Sequence, residues 1–457
     1  MPLIIPSNSQ SASGYTIDQS IRFNDDDSPY IYKAFSGAGS KQTASISFWM
    51  KIGNITSARR GLFTFIQDVP LELYSGDNLR VFAFGAERLV TNRLFRDPSA
   101  WYHIVLVFDS TNAVAPERIR LYVNGERETS FSAESYPSQS ANGNFWGSNL
   151  AQIGRTYGSS YYFDGYLAEI HYLDGLAYDP SFFGEFNDSG IWIPKQYTGS
   201  YGSNGFKIDG RDSSDLGDDE SGNGNDFTSN NLTASDQVSD SPTNNFCTLN
   251  PNDNRGTPGT LSEGNLKMAF SATNDNVTGT QGISSGKWYW EAHIVDKSDT
   301  YIGVQDSAIS ATGYTASAVA LWSGSYIYEN NSDTGDRSVS YDNGDVVGIA
   351  FDADNKKIWW SKNGQWYSAD DSSANTTINI SEVEAGNQAQ VITRSPDFFM
   401  PFFGNYTHST AIFNFGQEGT FAGNETAGGN SDGNGVGNFF STVPSGFLAL
   451  CTNNLGS

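Results

Sequence analysis

The chain has little with which to carry out covalent chemistry or to cross a membrane. Only Cys247 and Cys451 occur in 457 residues, too few for a disulfide scaffold at this size. Each sits among small and apolar neighbours, as packed thiols would, and a single bridge between them stays open. Four histidines, His103, His171, His293 and His408, leave few options for imidazole catalysis. The first three lie between apolar neighbours in strand patterns, the setting of packed or rim histidines. No His-Glu-x-x-His, phosphate-loop or Cys-x-x-Cys stretch is present. No apolar run approaches a membrane span, and the N-terminal MPLIIPSNSQSASGY lacks the charged and apolar regions of a secretion signal. The expectation is synthesis in a cytoplasm, with any work outside the cell reached by lysis or within a particle.

Basic residues are scarce as well. Against 51 acidic residues stand 26 basic ones, a formal charge of −25, which argues against binding nucleic acid or an anionic membrane through bulk electrostatics. Most of these carboxylates are expected to form a solvated surface. No cofactor is expected; Ca²⁺ held in acidic loops is the alternative. Asp218–Asp226, DDESGNGND, has the density of a Ca²⁺ loop but lacks EF-hand spacing and its terminal Glu, so it reads as a turn-rich excursion.

What the chain does have is 48 glycines, 15 prolines and 14% aromatic residues, a composition of many short strands joined by turns. The expected fold class is all-β. Val346–Trp366 is its clearest statement. Val347, Ile349 and Phe351 alternate with smaller neighbours, Asp352 to Asn355 supply a turn, and Ile358–Trp360 leads to Asn363-Gly364, the pair suited to a tight type I′ bend. Trp359 and Trp360 must face opposite sides of the strand. Trp101–Gly125 repeats the device, and two such cores imply two β domains.

In chain order, ISFWMKI, WYHIVLVFD, LYVNGE, QIGR and YYFDGYLAEIHYLDG resemble the laminin-G-like, concanavalin A-like jelly roll. GKWYWE, YIGV, YDNGDVVGIAFDADNKKIWWSKNGQW, MPFFG and FNFGQ resemble a SPRY domain. The resulting division is residues 1–195 as the first sandwich, 196–249 as a Gly/Asn/Asp-rich connecting strap, 250–417 as the SPRY-like sandwich, and 418–457 as a Gly/Asn-rich loop with a C-terminal segment. Within it, the aromatic stretch 179–210 is expected to lie over the first domain, 209–250 to be a loop or linker, 422–436 to be an exposed loop, and 439–450 to return to the sheet beside Cys247.

The pairing of these domains with GIWIPKQYTGSYGSNGF and SGNGNDFT between them resembles tandem proteins of marine bacteriophages. That resemblance implies a non-enzymatic virion component, a tail fibre or appendage or a capsid-surface decoration, displayed on the virion surface. Its implied partners are other virion proteins and host-surface glycans, and it implies a homo-oligomer, with a trimer favoured. Glycan adhesion needs flat aromatic faces beside polar side chains. The residues nominated are Trp146, Tyr157, Tyr161 and Tyr162 near Asp164 in the first domain, and Trp322, Tyr326, Tyr328 and Trp366 in the second. One alternative is an architectural protein whose SPRY domain docks on neighbouring subunits. A glycoside hydrolase is the other, but it needs paired carboxylates, and the nearest approach to the glucanase strand is Glu382-Val383-Glu384, with the wrong spacing.

Overall fold

The computed structural model describes residues 14–455 except 38, 57, 66–67, 144–149, 157, 159, 308–314 and 316. Two compact units divide it, Ser7–Asn245 and Phe246–Ser457. Both are built from antiparallel strands, and the one α-helix among the described residues is the short Ile380–Glu384.

The first unit stacks two eight-stranded sheets. In one, Thr43–Ile52 runs between Trp101–Asp109 and Gly165–Asp174. Strand alternation sends Ile46, Phe48 and Met50 inward to meet Ile104, Leu106 and Phe108 from the next strand, and Phe63, Phe65 and Leu71 from the other sheet. The opposite face of the same strands is also buried. Trp49, Trp101, Tyr166 and Trp192 form one cluster there, and Val105, Val107, Leu173, Phe183 and Tyr197 another. The aromatic stretch after Asp179 therefore does cover this face, although Phe182 and Phe186 remain 42% and 53% exposed.

Residues 209–245 are not a linker. Thr228–Asn230 adds a strand to one sheet by pairing with Tyr30–Ala34, and Gln237–Val238 adds one to the other by pairing with Ser20–Phe23. The polar composition that reads as a tether instead supplies local hydrogen bonds. The Asp219 carboxylate accepts from the backbone of Lys207, Ser221 and Asn225, while Asn223 and Asn225 donate to the Gly205 carbonyl. The carboxylates and amides of DDESGNGND are thus engaged in holding the loop. Among the described residues no group of three or more metal-ligating side chains converges.

The second unit faces a seven-stranded sheet against a ten-stranded one. Val346–Asp352 and Lys357–Lys362 pair as the alternation requires, with Ile349 opposite Trp360 and Phe351 opposite Ile358. At the next bend Asn363 and Gly364 have φ of 50° and 82°, the two positive angles of a type I′ turn, as do Asn124 and Gly125 in the first unit at 49° and 79°. Trp360 points into the core between the sheets and donates to the Ile302 carbonyl at 3.0 Å. Trp359 points the other way and is equally buried, because Phe439, Phe447 and Cys451 close over it and the Asn387 carbonyl accepts its N–H at 2.7 Å.

The C-terminal segment does return to the sheet. Leu448–Ala449 pairs parallel with Lys287–Asp296, and the Cys247 N–H donates to the Leu450 carbonyl. Cys247 and Cys451 are buried free thiols. Within the Gly/Asn run, the buried Asp432 carboxylate accepts from the backbone of Asn434, Val436 and Ala449 and from the Asn454 amide. That carboxylate fixes the loop to the fold.

Candidate functional site

Two patches of the nominated aromatics can be placed. The clearer one lies on the outer face of the seven-stranded sheet. Alternation in Thr300–Asp306 and Ala318–Trp322 sends Ile302, Val304, Val319 and Leu321 into the core, leaving Tyr301, Gly303, Ala318, Ala320 and Trp322 on the other side. Register then assembles the patch: Tyr301 pairs with Trp322, Gly303 with Ala320, and Ala320 with Tyr328. At Gly303 a Cβ would come within 2.0 Å of the Val319 carbonyl oxygen, so only glycine fits, and small residues separate the larger rings.

Trp322 meets Tyr326 edge to face at 5.5 Å, and Tyr301 meets Tyr328 in the same way at 5.6 Å. The Arg337 guanidinium lies 3.8 Å from the Tyr326 ring centroid while Asp333 accepts two of its hydrogen bonds. The Trp322 indole donates to Asp299, which also accepts from Thr407. Tyr326 is 37% exposed and Tyr406, on the loop beside Asp299, 50%. A polar cleft of about 450 Å³ adjoins, bordered by Glu329, Asp333, Thr393 and Arg394.

Trp366 does not belong to this patch. It lies within the strand Gln365–Tyr367, is 2% exposed and packs with Tyr289 and Val383 under the C-terminal segment. Sequence reasoning placed it near a strand end and could not see the distant chain that covers it. Tyr301 and Arg337 were missed; the alternation of YIGVQ was the available signal for Tyr301.

In the first unit Trp146 and Tyr157 lie outside the described residues. Tyr161 is 40% exposed with the Arg59 guanidinium 5.0 Å from its ring, and Tyr162 lies 6.5 Å from Tyr30. Asp164 is fully buried, which removes it from any saccharide surface. It accepts the Asn54 N–H at 3.0 Å, and burial followed by the neighbouring Asp25 carboxyl holds it well above the usual carboxylate range. Its place directly after Phe163, a core residue, gave no sign of this. A cleft that sequence reasoning did not foresee, about 470 Å³, is bordered by Tyr122, Phe186, Trp192, Glu185 and Lys195.

His103, His171 and His293 are buried. His103 is sandwiched against Trp49 and Trp192; its Nδ1 accepts the Trp192 indole N–H and its Nε2 bonds Ser47 Oγ, both at 2.9 Å. Burial, and then repulsion from His171, pushes its pKa down to about 3. Glu382 and Glu384 lie on the short helix, where they accept from the Asn387 side chain and the Ser445 backbone.

Comparison with known proteins fits this geometry. The model of the concanavalin A-like lectin/glucanases superfamily matches residues 25–176, and that of the SPRY domain matches residues 287–418. A concanavalin A-like domain is followed by a SPRY domain. The comparison with curated proteins found no match. Among solved structures, the SPRY domain of human HERC1 is similar at 14% identity and a TM-score of 0.29, covering 36% of this chain and 96% of that one. Stonustoxin is similar at 17% and 0.27, covering 37% and 27%. A Bacteroides ovatus protein provisionally assigned to carbohydrate binding is similar at 17% and 0.32, covering 48% and 60%. Among the described residues no helix is long and apolar enough to cross a membrane.

Proposed function

We propose that the protein is a non-enzymatic structural component of a virion, a tail fibre or appendage or a capsid-surface decoration, that adheres to host-surface glycans. The observation that carries the adhesion reading is the aromatic patch of the SPRY domain, where the half-buried Trp322 and Tyr328 and the exposed Tyr326 stand beside Asp299, Arg337 and Thr407. Flat rings stack on the apolar faces of sugars while fixed carboxylates, amides and hydroxyls orient the hydroxyl groups. Each such site is weak, and display in several copies, a trimer being favoured, multiplies its avidity. The virion role rests on the resemblance of the tandem arrangement to marine bacteriophage proteins. Such a protein is synthesised in the host cytoplasm and assembles there with other virion proteins.

A glycan array probed with the multimerised full chain tests adhesion: binding that Trp322→Ala removes is expected, and no binding to any glycan overturns it. The same patch, with Tyr326 37% exposed, would suit a neighbouring subunit instead. A particle reconstruction separates the two: an exposed SPRY face is expected for adhesion, and one buried against another subunit supports docking.

A further inference from the structure

In a chain this acidic an arginine normally finds a carboxylate. In the first unit Arg59, Arg60, Arg80, Arg93 and Arg96 each do so. Arg155 does not. Its guanidinium carbon lies 4.6 Å from the Tyr30 ring centroid and 5.7 Å from that of Tyr162, and its Nε is buried with no hydrogen-bond partner. No carboxylate among the described residues pairs with it, although the chain carries 51. Backbone structure holds it there. Arg155 and Tyr162 face each other in an antiparallel bridge, and the Thr64 hydroxyl donates to the Arg155 carbonyl at 2.7 Å.

The contrast with Arg59 is direct. That guanidinium also lies over a nearby tyrosine, Tyr161, but it is spent on a forked pair of bonds to the two oxygens of the buried Glu72, at 3.1 and 3.0 Å. Arg155 holds the same kind of position with its fork unused. Burying part of a guanidinium without a counter-charge is costly, and the two rings offset only a part of it.

We propose that Arg155, held between Tyr30 and Tyr162, is an anion-recognition site that makes the concanavalin A-like domain prefer acidic saccharides, bearing carboxylate or sulfate groups, over neutral ones. The proposal rests on the adhesion reading and specifies its ligand class. A planar guanidinium offers two parallel N–H donors that match a carboxylate or sulfate edge, and Tyr161, next in the chain to Tyr162 and 40% exposed, supplies a ring for the sugar. The charge of −25 repels dense polyanions such as nucleic acid or an anionic bilayer. A saccharide with few charges is the anion that a single local cation tolerates.

The test uses the full chain, titrated by calorimetry with trigalacturonate, its methyl ester, a monosulfated disaccharide and neutral maltotriose. Tighter binding of the free acid, the sulfated sugar or both is expected, and the two charged arms identify which anion is used. Arg155→Gln should weaken the charged ligand roughly tenfold, the worth of a charged hydrogen-bonded pair, and leave the neutral one unchanged. Lys195→Gln, elsewhere on the same unit, serves as control, and melting temperatures establish that both variants fold. Affinity for the free acid and the sulfated sugar no greater than for the ester and maltotriose, or no effect of Arg155→Gln on the charged ligand, overturns the proposal while adhesion stands. Absence of any saccharide binding by the wild-type chain, here and on the array, overturns both.

Discussion

The two sheets of the SPRY domain treat their outer faces differently. Both carry aromatic rings outward, as strand alternation requires. On the ten-stranded sheet Trp359 is covered by Phe439, Phe447 and Cys451 until nothing of it is exposed. On the seven-stranded sheet Trp322 and Tyr328 are half-buried and Tyr326 is 37% exposed. Stability and recognition fall on different sheets under the adhesion reading. The covered tryptophan holds the fold, and that reading assigns recognition to the half-exposed one.

The largest effect should come from the covered side. Trp359→Ala removes a buried indole and its hydrogen bond and should destabilise the domain by about 3–5 kcal/mol, read as a shift in the denaturant midpoint. If the loss is below about 1 kcal/mol, the C-terminal roof is not part of the stable fold and the contrast disappears.

The concanavalin A-like domain offers a parallel through pH. His103 lies under a similar roof, that of Trp192, and its pKa is lowered from 6.5 to about 3. Below 6.5 the unfolded chain takes up a proton that the folded chain refuses, so stability should fall as pH drops through this window, by up to about 5 kcal/mol at its acid end. Melting temperatures between pH 7 and 4 measure this. His103→Gln should lower stability at pH 7 and flatten the acid slope, and an unchanged slope would remove His103 as its cause.

A smaller effect is expected at the hairpin bend. Gly364 has φ of 82°, and an added Cβ would make only ordinary contact, 3.6 Å from the Ser441 hydroxyl oxygen, so Gly364→Ala should cost about 1 kcal/mol from backbone strain. Trp322→Ala, which removes a half-buried ring and its bond to Asp299, should cost about 1 kcal/mol in folding, well below Trp359→Ala, while weakening glycan binding roughly tenfold if its stacking contributes as aromatic contacts do.

What was legible in the sequence was local. Period-two alternation in ISFWMKI and VVGIAFD identified inward faces that the core clusters reproduce, and Asn-Gly identified two bends because only a residue tolerant of positive φ fits there. What was not legible depends on distant chain. Trp366 has the sequence surroundings of an exposed ring, and it is buried because residues some eighty positions later fold over its sheet. Asp164 follows a surface tyrosine pair yet is buried beside Asp25. The stretch 209–245 reads as a tether by composition, and it is ordered because its Asp and Asn side chains bond its own backbone. Arg155 drew no notice because pairing is a property of space; its lack of a carboxylate appears only once the strands are in register.

The most direct test of this separation of roles is a paired measurement on the full chain carrying Trp322→Ala: affinity of the multimerised protein for the best array glycan, and melting temperature in the same buffer. The account predicts a roughly tenfold loss of affinity with a melting temperature within about 4 °C of wild type. Unchanged affinity, or a loss matched by a large drop in melting temperature, would contradict it.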